Sequence, residues 1–187
     1  FKNTENNAIK NGVFVLFLAN KKVEKWPKNA DPWEDKATAL YELERFRESV
    51  EAYKKAQKLD RSSLSILFGL MWAYHDSEQF EEAINCADKL VKKIPEIESE
   101  EEEDGLGFAI DDCLVVKGDC LSHLGKDTQS IKIYQELLED DPEDPSLIDS
   151  CVGLLMDLKK YWNPSSIKKF PYNLIMEICS VSITHSI

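Results

Sequence analysis

The strongest constraint on this chain is that it resembles itself at an interval of 34 residues. With Phe46 placed on Phe80, Ser49 falls on Ala83, Val50 on Ile84, Tyr53 on Ala87, Ala56 on Leu90, Trp33 on Leu67, Ala37 on Met71 and Leu40 on Tyr74. Within each interval the apolar residues recur at three- and four-residue spacing in two short runs, the period of an amphipathic helix. Polar turns join the runs, Glu44–Arg45–Phe46–Arg47 in one unit and Ser77–Glu78–Gln79–Phe80 in the next. One helix pair cannot cover its own apolar face, so a repeat of this length predicts an all-α chain of helix pairs that stack on one another.

The units run over residues 30–63 and 64–97, then 111–144 after an insertion at about 96–108, with a partial unit at 145–162. In the third unit Leu114, Gly118 and Leu121 take the first-helix roles, and Ser130, Ile131, Tyr134 and Leu137 the second-helix roles. Ile94–Pro95 and Asp141–Pro142 are expected helix ends, because Pro cannot continue a helix. The fourth unit starts at Ser146, shows Ile148, Val152, Leu155 and Tyr161, and breaks at Asn163–Pro164. Residues 1–29 hold a helical stretch, 5–25, that stops at Trp26–Pro27 and fits the second helix of an upstream unit. With Phe1 where an initiator Met would stand, a fragment or processed form is expected. The tail at 163–187 is apolar and β-branched; it is expected to be either a capping helix or a disordered or interrupted terminus.

The pattern resembles the tetratricopeptide repeat. That family has a large residue at the fourth place, small ones at the eighth and twentieth, an aromatic at the seventeenth and Pro near the thirty-second. Here those places hold Trp33, Ala37, Phe46 and Ser49; then Leu67, Met71, Phe80, Ala83 and Pro95; then Leu114, Gly118, Asp127, Ser130 and Pro142. Lys36, Met71 and Asp127 depart from it, and Met71 predicts a wider helix crossing in the second unit. The resemblance covers about 30–162 and implies a right-handed α–α superhelix. Small residues let helices cross at about 8–10 Å, so Ala37 with Ser49, and Gly118 with Ser130, are the expected crossing points.

The resemblance also implies a groove lined by first helices. Its positions fall on Asp31, Glu34, Thr38, Tyr41 and Glu42, on Ser65, Phe68, Trp72, His75 and Asp76, and on Asp112, Val115, Asp119, Ser122 and His123. This lining is acidic and aromatic. Phe68 and Trp72 stand one turn apart as an apolar platform, or else pack only against the neighbouring unit. The expected guest is a protein or peptide segment that is apolar, basic or both. Family members that grip an acidic chaperone tail use Lys, Asn and Arg at places that here hold Glu34, Thr38, Gly69, Asp112 and Val116, so such a tail is not expected to bind.

Composition narrows the partners further. With 35 acidic against 23 basic residues the net charge is −12, which repels nucleic acid and anionic lipid. The apolar run Gly12–Ala19 is too short to span a bilayer and is expected to be a buried helix. The five cysteines, Cys86, Cys113, Cys120, Cys151 and Cys179, lack CxxC spacing and fit buried core positions in a reducing compartment, the cytoplasm or nucleus. Glu96–Asp104 reads as a solvated acidic loop, in which Ser99 followed by Glu100–Glu103 resembles an acidophilic-kinase target. No phosphate loop, GxSxG or HExxH occurs, and His75 and His123 sit at equivalent helix ends without metal-ligand spacing. A non-enzymatic interaction scaffold without metal or cofactor is therefore expected; the alternative is the regulatory or substrate-recruiting arm of a larger enzyme.

Overall fold

The computed structural model describes residues 2–98, 107–140 and 147. Among them are seven helices and no strand: α1 (Lys2–Lys25), α2 (Asp31–Glu42), α3 (Phe46–Leu59), α4 (Leu64–Asp76), α5 (Phe80–Glu98), α6 (Gly107–His123) and α7 (Asp127–Asp140). The chain divides into two units, Phe1–Lys126 with α1–α6 and Asp127–Ile187 with α7. In the first unit each helix packs on its neighbours in sequence, and α4 also touches α2 and α6. The first helices of successive pairs therefore lie side by side, with the second helices α3 and α5 on their other flank.

The crossing expected at Ala37 and Ser49 is present. Both residues are fully buried, and the Ser49 hydroxyl donates to the Ala37 carbonyl at 2.8 Å. A short side chain lets α3 approach α2, and its one polar atom is satisfied where water cannot reach. Gly118 and Ser130 are buried too, but they belong to separate units. In the second pair Met71 and Ala83 are fully buried, in α4 and α5 respectively.

A second close approach carries α3 onto α4. A Cβ on Gly69 would stand 2.4 Å from both Cζ and the hydroxyl oxygen of Tyr53. The Tyr53 ring thus occupies space that any larger residue at 69 would take. Its hydroxyl reaches on to Thr38 Oγ1 at 3.0 Å, so one side chain of α3 touches both first helices.

The interhelical turns repeat in detail. Glu44, Glu78 and Gly125 have φ of 57°, 63° and 68°. After each, the next N–H reaches a carbonyl five residues back: Arg45 to Leu40 at 2.9 Å, Gln79 to Tyr74 at 2.9 Å and Lys126 to Leu121 at 2.8 Å. This is the Schellman ending, which satisfies orphan carbonyls and turns the chain for the next helix. The register passes from Glu44 to Glu78 over one repeat and then to Gly125 over one repeat plus 13 residues, which matches the insertion.

Two expectations need correction. Pro95 does not end the second unit's helix, since α5 continues to Glu98. Pro removes one backbone donor, and near a helix end that single loss is tolerated. Part of the insertion is helical, because α5 runs to Glu98 and Gly107 already begins α6. Ser99 and the acidic residues 100–104 lie outside the described residues, as do Cys151, Cys179, most of the fourth unit and the tail at 163–187.

The run Gly12–Ala19 is not buried all round. Gly12, Leu16 and Ala19 face inward, but Val13, Phe14, Val15, Phe17 and Leu18 are 44–60% exposed. The physical reason is that α1 packs on α2 along one side, which covers only an i, i+4, i+7 stripe.

Two stability predictions follow from this geometry. L-residues strain at positive φ, so Glu44→Gly and Glu78→Gly should each raise unfolding free energy by about 0.5–1 kcal/mol in urea titrations. Gly69→Ala should lower it by about 1–3 kcal/mol. Its effect combined with Tyr53→Ala should be less than additive, because the truncated ring relieves the clash.

Candidate functional site

The fifteen groove positions expected from the sequence lie on α2, α4 and α6, and none of them is buried. The face has an aromatic centre. Phe68 and Trp72 meet edge to face at 6.4 Å between centroids, and Trp72 meets His75 the same way at 5.9 Å. Phe68 and Trp72 are half-buried and rest against the core. They are therefore held in place from below and exposed above. Packing and display are compatible here, because a helix side chain of this size has one side for each.

The polar part ties the first helices together. Ser65 Oγ donates to Glu34, and the Tyr41 hydroxyl donates to Asp76; both bonds bridge α2 and α4. The other Asp76 oxygen meets His75 Nδ1 at 2.7 Å. A carboxylate accepts, so Nδ1 is the donor of this pair. Burial, with the Asp76 hydrogen bond after it, pushes the Tyr41 hydroxyl pKa well above its ordinary value. Tyr41 therefore acts as a fixed donor.

Toward α6, Phe80 of α5 stacks flat on His123 at 4.6 Å and also meets His75 at 6.4 Å. The two histidines at equivalent helix ends thus share one aromatic partner. Among the described residues no group of three or more His, Cys, Asp or Glu is placed to hold a metal ion, and no helix is long and apolar enough to cross a membrane. Val115 and Asp119 are half-exposed on α6, and Asp31, Thr38, Glu42, Ser65 and Asp112 are exposed. The structural positions Trp33 and Phe46 are half-buried and Ala83 is buried. The Trp33 indole N–H donates to the Pro27 carbonyl at 3.0 Å, which fixes the loop between α1 and α2.

Sequence reasoning missed the part played by Tyr53 and Gly69. An isolated Gly inside the apolar run Leu64–Trp72 is a signal of close backbone approach, and it is the signal that was available. A surface hollow lined by Glu44–Glu48 and Asp76–Glu78 lies at the turns rather than on the aromatic centre.

Tetratricopeptide-repeat profiles match residues 30–63 and 112–144. The chain carries tetratricopeptide repeats over these residues. Solved structures share its fold at low identity. MamA from Desulfovibrio magneticus RS-1, residues 41 to the end, superposes with a TM-score of 0.69 at 12% identity, over 100% of this chain and 95% of that one. A second MamA structure gives 0.64 at 14%, over 90% and 89%. YrrB, described as a TPR protein with an unusual peptide-binding site, gives 0.52 at 19%, over 74% and 65%. No curated protein sequence matches the chain significantly.

The described thiols, Cys86, Cys113 and Cys120, are free and buried. Burial, the leading cause in each, pushes Cys86 up to about 11 and Cys113 and Cys120 up to about 12. Between the ordinary thiol value of 9.0 and those values, the unfolded chain has lost protons that the folded chain keeps. Stability must then fall as pH rises through that window. We predict a declining urea midpoint from pH 9 to 11, with a shallower decline in the triple variant Cys86→Ala, Cys113→Ala, Cys120→Ala.

Proposed function

We propose that this protein is an interaction scaffold that holds a segment of another polypeptide against the joint face of α2, α4 and α6, and that the segment is apolar with basic flanks. The observation that carries this is the Phe68–Trp72 pair, held half-exposed among carboxylates. Aromatic side chains that are fixed before binding lose little entropy on contact and serve as anchors. Asp31, Glu34, Glu42, Asp76, Asp112 and Asp119 stand at the other expected groove positions, and none of the fifteen positions is Lys or Arg. Such a field selects and steers a cationic guest and repels an anionic one. The absence of basic residues at these positions also leaves no donor pair for a terminal carboxylate or a phosphate backbone.

The test is fluorescence anisotropy with labelled peptides of two kinds. One kind has Leu or Phe anchors with Lys or Arg flanks; the other ends in an acidic tail. The first should bind, more weakly as salt rises, and the second should not. Phe68→Ala with Trp72→Ala should weaken binding at least tenfold, about 1.4 kcal/mol, while far-UV circular dichroism stays unchanged. A folded double variant that binds as well as the parent would remove the aromatic pair from the site. Preference for the acidic tail would remove the charge argument.

A further inference from the structure

Asp76 is the last residue of α4 (Leu64–Asp76), and it stands there against the local field. The C-terminal end of a helix carries partial negative charge, which favours a cation and disfavours a carboxylate. The last turn of α2 has the same character, since it ends on Glu42 and holds no basic residue. Asp76 is also pinned from two sides. Its Oδ2 accepts from the Tyr41 hydroxyl of α2, and its Oδ1 accepts from His75 Nδ1. Both donors are braced in turn. The Tyr41 ring meets Phe46 edge to face at 5.3 Å, and the His75 ring meets Trp72 at 5.9 Å and Phe80 at 6.4 Å. The Asp76 side chain keeps 25% of its surface exposed, and each carboxylate oxygen has a second lone pair to offer. Trp72 stands four residues earlier, so its indole and the Asp76 carboxylate are neighbours on the surface of α4.

We propose that Trp72 and Asp76 form a subsite for one arginine side chain of the guest polypeptide, with Tyr41 as the residue that positions Asp76. A guanidinium is planar, so it lies on the indole of Trp72 while its N–H groups fork onto the Asp76 carboxylate. An ammonium is a compact point charge and does not match both partners in one geometry. The bound cation also meets the negative end of α4, which offsets what the carboxylate costs there. Because Tyr41 and His75 already hold the carboxylate, little freedom is lost when the guest arrives. Phe68, edge to face with Trp72 at 6.4 Å, is left to the guest's apolar anchor. The inference rests on the proposed peptide-holding face and names the side chain that this face selects.

Fluorescence anisotropy on the full chain tests this with Leu- or Phe-anchored peptides in which each flanking Arg is replaced in turn by Lys or by citrulline, its neutral isostere. One Arg should stand out. Its change to citrulline should weaken binding to the parent about tenfold, and its change to Lys should weaken binding by less. Asp76→Asn should weaken the Arg peptide by a similar factor and leave the citrulline peptide within about twofold, because the partner is already gone. Tyr41→Phe should narrow the gap between the Arg and citrulline peptides without moving the citrulline peptide, whereas a merely structural role would weaken both alike. Trp72→Leu, which keeps apolar bulk and removes the π face, should reduce the preference for Arg over Lys. Equal binding of the Arg and citrulline peptides at every position overturns the proposal. So does a Lys peptide that binds as well as the Arg peptide, or a folded Asp76→Asn variant that weakens both peptides alike. Should Asp76→Asn disturb the circular dichroism, Tyr41→Phe carries the same comparison, and an unchanged gap there overturns the proposal. If Phe68→Ala with Trp72→Ala abolishes binding while no Arg is distinguished from citrulline, the arginine subsite fails and the proposed function stands. If no basic, apolar peptide binds the parent, both fail.

Discussion

The limited reach of a single helix pair governs this molecule. A pair of 12 to 14 residues per helix, such as α2 with α3, buries its facing side chains but leaves apolar residues on its outer flanks. Those must be covered by the next pair. The contacts that permit the stacking are small. Ser49 brings α3 to the backbone of α2, and Gly69 admits the Tyr53 ring between α3 and α4. Enlarging either residue pushes helices apart, and the loss spreads along the stack because each pair is held by its neighbours.

The repeated turns set the direction of each following helix. Three left-handed residues, Glu44, Glu78 and Gly125, close three helices in the same way. Only the third is a glycine, so the other two hold the geometry against a local preference. The surrounding bonds outweigh that preference: each turn satisfies carbonyls that would otherwise face the next helix start. Because the turns are alike, α3 leaves α2 in the same way as α5 leaves α4.

The same logic explains the two unlike surfaces. Where a neighbouring pair is present, aromatic residues such as Phe80 are half-covered and make ring contacts with residues of adjacent helices. Along α1 only one side is packed, and Phe14 and Phe17 remain open. The acidic face across the first helices supplies the opposite character.

The helix pairs, their period and the core positions were legible in the sequence, because burial imposes a 3.6-residue spacing and stacking imposes the 34-residue one. Trp33, Ala37, Ser49, Tyr53 and Ala83 could be placed from that register alone, and the groove positions could be assigned to α2, α4 and α6. The register could not show how far a helix runs past its expected stop, since Pro95 is tolerated near the end of α5. Nor could it show that Gly12–Ala19 is covered on one side only, because an apolar run gives no count of its neighbours. The Tyr41–Asp76–His75 chain joins residues up to 35 positions apart, and the contact between Tyr53 and Gly69 likewise depends on where two helices cross. Periodicity fixes which way a side chain points along its own helix; what it meets there is decided by the distance and angle between helices.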